Sequence, residues 1–149
     1  MKEVKLALIN ILLAFSILFV LYLTMIPHAL IHTGDVNGAV VQRFNYNLNP
    51  LLIFQNFKTD SLFYFLVDDL GNIMLFIPFG LFLSMRFPEF KFGQIGFFGA
   101  LFSATIEWVQ LFLPNRMTDI DDVILNTTGA LVGYFLYRFY VEAGEEVDN

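Results

Sequence analysis

The chain has 149 residues, of which 57% are hydrophobic and 15% charged, with a mean hydropathy of +0.66 and a formal net charge of −6. Soluble domains average about 45–50% apolar and about 25% charged residues, so this deficit of charge points to lipid as the solvent and excludes a disordered chain. The absence of cysteine excludes a disulfide scaffold and a thiolate metal site, and eight basic residues on an acidic chain argue against nucleic-acid binding.

Crossing a hydrocarbon core takes roughly 20 apolar residues per helix. Four apolar stretches therefore predict an all-α, polytopic membrane bundle of about four transmembrane helices, forming one domain over residues 1–149. The first, Leu6 to Ile26, is uncharged, follows Lys2 and Lys5, and is closed by Pro27. Its length exceeds the ~7–15-residue core of a secretory signal, which predicts an uncleaved membrane helix. Between it and the second helix, residues 38–60 read as an interfacial or re-entrant piece around Leu51-Leu52-Ile53-Phe54. The second helix is expected near residues 70–86, where Pro78 removes an N–H, frees the carbonyl of Met74 and predicts a kink.

The third and fourth helices are expected near 92–113 and 120–140. The linker Pro114-Asn115-Arg116-Met117-Thr118-Asp119 is short enough to make them antiparallel neighbours. Thr118 or Asp119 is placed to cap the fourth, and the acidic residues of 142–149 read as a solvated tail. Lys2, Lys5, Arg86, Lys91 and Arg138 fall on one side of this topology, against Arg43, Lys58 and Arg116 on the other. That bias places both termini in the cytoplasm.

On the third helix Gly93, Gly96, Ala100, Ser103, Glu107 and Gln110 share one face, and on the fourth Asp119, Asp122, Asn126, Gly129 and Gly133 do the same. Small residues let helix backbones approach in lipid, so these two stripes are expected to face each other. Antiparallel packing then gathers Glu107, Gln110, Asp119, Asp122 and Asn126 at the outer end, with Arg116 in the turn and Asn72 at the start of the second helix. Glu107 lies six residues before Leu113, roughly 9 Å below the helix end, and an acid at that depth costs a few kcal/mol unless paired or protonated. Arg116 is the nearest base in sequence. One alternative for the cluster is a clamp that fixes the bundle, and another is a divalent-cation site on Asp119, Asp122 and Glu107, which helix capping explains without an ion. No metal or other cofactor is expected, and His28 with His32 supplies two ligands at most.

These residues form a recognisable series. Asn72-Ile73-Met74-Leu75-Phe76-Ile77-Pro78-Phe79-Gly80 resembles the N-x-x-L-F-x-P-x-G signature of VanZ-like membrane proteins. Ser103 to Gln110 resembles that family's S-x-x-x-E-x-x-Q helix, and Arg116 to Gly133 its R-x-x-D-x-x-D-x-x-x-N-x-x-G-x-x-x-G block. Asn47-Leu48-Asn49-Pro50-Leu51 is similar, more loosely, to the segment that precedes these. Asn115 stands where a glycine often precedes the arginine, and Asn49 where an apolar residue often precedes the proline.

The resemblance implies a bacterial cell-envelope protein of a family linked to low-level resistance to teicoplanin, a lipid-tailed glycopeptide. With the polar cluster, it leads to the expectation of an outer-leaflet pocket. Asn72, Glu107, Gln110, Arg116, Asp119, Asp122 and Asn126 would there bind or shield a lipid-linked wall precursor or a lipoglycopeptide. The expected partners are membrane lipids, such an amphiphile, and a second copy or another membrane protein. One alternative is an intramembrane enzyme with Glu107 as acid or base beside Asp119 and Asp122; the other is a structural subunit of a membrane complex.

Overall fold

The computed structural model describes residues 2–25, 46–50, 69–113 and 117–147. Four helices dominate: α1 (Lys2–Met25), α2 (Leu70–Arg86), α3 (Phe92–Gln110) and α4 (Ile120–Val147). Two two-residue strands, β1 (Tyr46–Asn47) and β2 (Thr118–Asp119), pair in parallel. The segment expected over 38–60 lies outside the described residues except for 46–50, which contains β1.

The starts of α2, α3 and α4 coincide with expectation, while other ends differ for physical reasons. α1 begins at Lys2 because Lys2, Glu3 and Lys5 are good helix formers that cost nothing in water at a helix end. α3 stops at Gln110, and Leu111–Leu113 turn away ahead of Pro114. α4 runs to Val147 rather than 140, so the helix continues into the acidic tail, where Ala143 and Gly144 are exposed. Pro78 lies inside α2 without ending it.

Pro88 breaks the chain between α2 and α3, where Phe90 N–H donates to the Phe87 carbonyl at 2.9 Å. The Phe87 and Phe90 rings stack at 4.8 Å, and the Arg86 guanidinium covers the Phe87 ring at 4.6 Å. The Gln94 side-chain carbonyl accepts from Lys91 N–H at 2.8 Å, satisfying one donor where α3 begins. By length and composition, α1 is the one helix among the described residues that suffices to cross a membrane; α2 is apolar but shorter.

The core is a single cluster of Val20 from α1, Phe76, Phe79 and Leu83 from α2, Ile95 and Ile106 from α3, and Ala130 from α4. Phe102 joins the Phe76 and Phe79 rings at 5.4 and 5.0 Å. The glycine contacts correct one expectation. Gly129 and Gly133 do not face the third helix: a Cβ on Gly129 would strike the Ile73 carbonyl, and one on Gly133 the Ile77 carbonyl and the Leu81 nitrogen, all backbone of α2. Gly80 of α2 is closed off in the same way by the Ala130 backbone. α2 and α4 thus run parallel with their backbones touching. On α3 it is Gly99, outside the expected stripe, that meets Ala130, while Gly93 has open space around it. The antiparallel pairing of α3 with α4 is as expected, with Gly99 beside Ala130 and Ser103 beside Asn126.

Candidate functional site

This packing brings the end of α1, the start of α2, the end of α3 and the start of α4 to one end of the bundle. Each helix end leaves backbone groups without an intrahelical partner, and in an apolar surrounding each such group costs free energy. The polar side chains found here meet that need across helix boundaries. Gln110, 6% exposed, donates from Nε2 to the Thr24 carbonyl at 3.0 Å and so caps α1. The Thr118 hydroxyl donates to the Glu107 carbonyl at 2.9 Å, near the end of α3. The Glu107 carboxylate, on a residue 5% exposed, accepts from Asp119 N–H at 2.8 Å through Oε2. Asp119 in turn accepts from Asp121 N–H at 2.9 Å, the cap anticipated for the fourth helix.

Deeper pairs connect helices through side chains alone. Asn72 Nδ2 donates to Asp122 Oδ1 at 2.6 Å, linking α2 to α4. Asn126 Nδ2 donates to Ser103 Oγ at 2.9 Å, linking α4 to α3, while Asn126 Oδ1 is buried with no hydrogen-bond partner. Six of the seven residues singled out from the sequence therefore lie in one connected region at one end of the bundle. The seventh, Arg116, lies outside the described residues, as do His28 and His32. Among the described residues no three His, Asp or Glu side chains converge closely enough to hold a metal ion.

Sequence reasoning missed two contributors, Asn47 and the Thr24 carbonyl. Asn47 donates from Nδ2 to both oxygens of Asp119, at 3.0 and 3.2 Å. Its Oδ1 accepts from Asn49 N–H at 3.0 Å, which fixes the amide orientation and turns the NH2 toward the carboxylate. Asn47 entered only through a loose family resemblance, and its partner 72 residues away carried no local signal. The Thr24 carbonyl, being backbone, carries no sequence signal at all. Ser103 was placed on the correct face but without its amide partner.

Beside these polar residues lies an open, almost wholly apolar recess of about 220 Å³, lined by Leu48, Ala104, Trp108, Leu111, Ile120 and Val123, with Glu107, Thr118 and Asp119 contributing little surface to it. Such a space is smaller than the ~300–1,000 Å³ of pockets for drug-sized ligands and suits part of an alkyl chain better than a headgroup. Trp108, the sole tryptophan, is 65% exposed at its margin.

The family profile described as VanZ/LLP1 matches residues 13–141. The chain is 35% identical over 103 residues to Protein VanZ of Enterococcus faecium, a match covering 66% of this chain and 58% of that protein. The chain thus spans less than two thirds of that relative's length. No solved structure matches it significantly. The profile covers the second half of α1, the polar network and most of α4, and the chain belongs to the VanZ/LLP1 family.

Proposed function

We propose that this chain is a multi-pass protein of the bacterial cell membrane that binds or shields an acyl-tailed amphiphile. The class intended is a lipid-linked wall precursor or a teicoplanin-type lipoglycopeptide. The observation that carries the reading is the recess, an alkyl-sized and almost wholly apolar space lying beside the buried Glu107. The acyl tail of an amphiphile needs such apolar walls, with its head left outside them.

Two features support the crossing of the bilayer by α2, α3 and α4 as well as α1. The outer faces of α3 and α4 expose Phe97, Leu101, Phe135, Leu136 and Phe139, which water would disfavour and lipid would not. On those faces the hydroxyls of Thr105 and Thr128, both at exposed positions, donate to the carbonyls of Leu101 and Ile124 at 2.7 and 2.8 Å. A hydroxyl facing hydrocarbon has only its own helix to bond. With Lys2, Lys5, Arg86 and Lys91 at the opposite end from the recess, the positive-inside rule puts the recess in the outer leaflet and both termini in the cytoplasm.

The direct test uses Trp108 as a built-in reporter. In phosphatidylcholine vesicles, titration with teicoplanin is expected to give a saturable change in tryptophan emission, whereas its deacylated form gives none. Ala104→Leu, which fills the recess without touching the polar network, is expected to abolish that change. A response that does not saturate, or that survives Ala104→Leu, overturns the reading. A new envelope-lipid species appearing on expression would favour the intramembrane enzyme instead.

A further inference from the structure

We propose that this chain pairs with a second copy of itself through α1, with Asn10 of each copy hydrogen-bonded to Asn10 of the other. From the preceding reading the inference takes only that α1 crosses the bilayer; it is independent of what the recess holds. Asn10 lies four residues past Leu6, where the uncharged run begins, and so about 6 Å inside the hydrocarbon. A lysine or arginine could reach back to the headgroups from there, but an asparagine is too short. The residue is exposed and thus faces lipid, and among the described residues its side chain has no hydrogen-bond partner. The other polar side chains of the run are satisfied by their own helix: the Ser16 hydroxyl donates to the Leu13 carbonyl and the Thr24 hydroxyl to the Val20 carbonyl, each at 2.8 Å. An amide cannot follow them, because no N–H in mid-helix is free for its oxygen, and an unpaired amide in hydrocarbon is costly. The described chain breaks off at Met25 and resumes at Tyr46 at the opposite end of the bundle, about 22 Å along α1 from Asn10.

The surroundings of Asn10 fit a helix rather than a lipid tail. Ala7 and Ala14 stand three residues before it and four after it on the same face, and both are exposed. Small side chains on either side let a second backbone come close enough for a short amide to reach across. The next face round carries the exposed Leu8, Ile11 and Phe15, which would hold a partner backbone away. The amide itself selects the partner. Copies inserted the same way round present parallel α1 helices, and a two-fold axis along the membrane normal sets Asn10 opposite Asn10 at one depth. A carboxamide complements itself there, each Nδ2 donating to the other copy's Oδ1.

The test uses the full chain, purified and reconstituted in phosphatidylcholine vesicles, with donor and acceptor dyes on separate copies. Energy transfer is expected to rise with the protein-to-lipid ratio and to level off at a dimer. Asn10→Leu removes the amide where there is no hydrogen bond within the fold to lose, and is expected to weaken association about three- to thirty-fold. Asn10→Gln keeps an amide and should retain most of the parent's association. Unchanged association in Asn10→Leu, or equal loss in both variants, overturns the pairing. The face is tested separately, since the chain has no native cysteine. On oxidation Ala7→Cys is expected to form an intermolecular disulfide, whereas Leu8→Cys, at nearly the same depth on the bulky face, is not. Equal cross-linking of the two overturns the assigned face. A chain that resists carbonate extraction from the vesicles but stays monomeric at every ratio overturns the dimer, whereas one that is washed off overturns the membrane crossing instead.

Discussion

Gly133→Ala tests the central contact of the bundle. The added Cβ would sit 2.5 Å from the Leu81 nitrogen, about 0.9 Å short of the 3.4 Å at which ordinary contact begins. Its other neighbours, the Ile77 carbonyl and the Gly80 carbonyl carbon, are also backbone, so no side chain can rotate out of the way. α2 must withdraw from α4 as a body by about 1 Å, and overpacking of this kind costs about 1–3 kcal/mol, here at the upper end. The same withdrawal stretches the 2.6 Å bond from Asn72 to Asp122, which as a bond to a carboxylate is worth about 1.5–3 kcal/mol. Alanine returns about 1 kcal/mol of helix propensity. The net expectation is a loss of about 3 kcal/mol, or two decades in the folded-to-unfolded ratio. Titration of mixed micelles with a denaturing detergent, followed through Trp108 emission, measures it. Gly93→Ala is the control: nothing lies within 4 Å of that glycine, and its stability should stay within about 1 kcal/mol of the parent. If the two variants unfold together, the backbone contact between α2 and α4 is wrong.

Two further predictions use the same titration. Ser103→Ala strips Asn126 of the bond to its Nδ2 when its Oδ1 already lacks a partner, and is expected to cost about 1–3 kcal/mol. Asn126→Ala removes the half-satisfied amide altogether but leaves a cavity, so the double variant Ser103→Ala with Asn126→Ala should cost less than the sum of the two single ones; strict additivity would refute the pairing. Glu107→Gln keeps an acceptor for Asp119 N–H, whereas Glu107→Ala leaves that donor without one. The alanine variant should therefore be less stable than the glutamine variant by about 1–3 kcal/mol, and equal stabilities would remove Glu107 from the capping network.

Helix number and the starts of α2, α3 and α4 were legible because each depends on local chemistry. Runs of apolar residues end at Pro27, Pro88 and Pro114, and the scarce charges mark the ends. The convergence of Glu107, Gln110, Asp119, Asp122 and Asn126 was legible too, since helical periodicity and one short turn suffice to place them. The use of those side chains was less so. A glutamine reads as a ligand-binding group until its carbonyl partner at Thr24 is known, and a carboxylate reads as a general base until it is found holding a backbone N–H.

Glycine shows the same division between local pattern and spatial context. The four-residue spacing of Gly129 and Gly133 identified a face for close helix approach, but a stripe of small residues does not name its neighbour. The parallel α2, through Ile73, Ile77 and Leu81, occupies that face, and the antiparallel α3 meets Ala130 through Gly99 instead. The sequence by itself determined that four helices form, that their polar residues collect at one end, and which face of α4 admits close contact. Only the tertiary structure decided which helix fills each face, that the polar residues cap one another's helices, and that Asn47 closes on Asp119. The reason is physical: a helix and its periodicity arise from interactions within a few residues, whereas a partner 50 or 72 positions away is selected by the packing of the whole bundle.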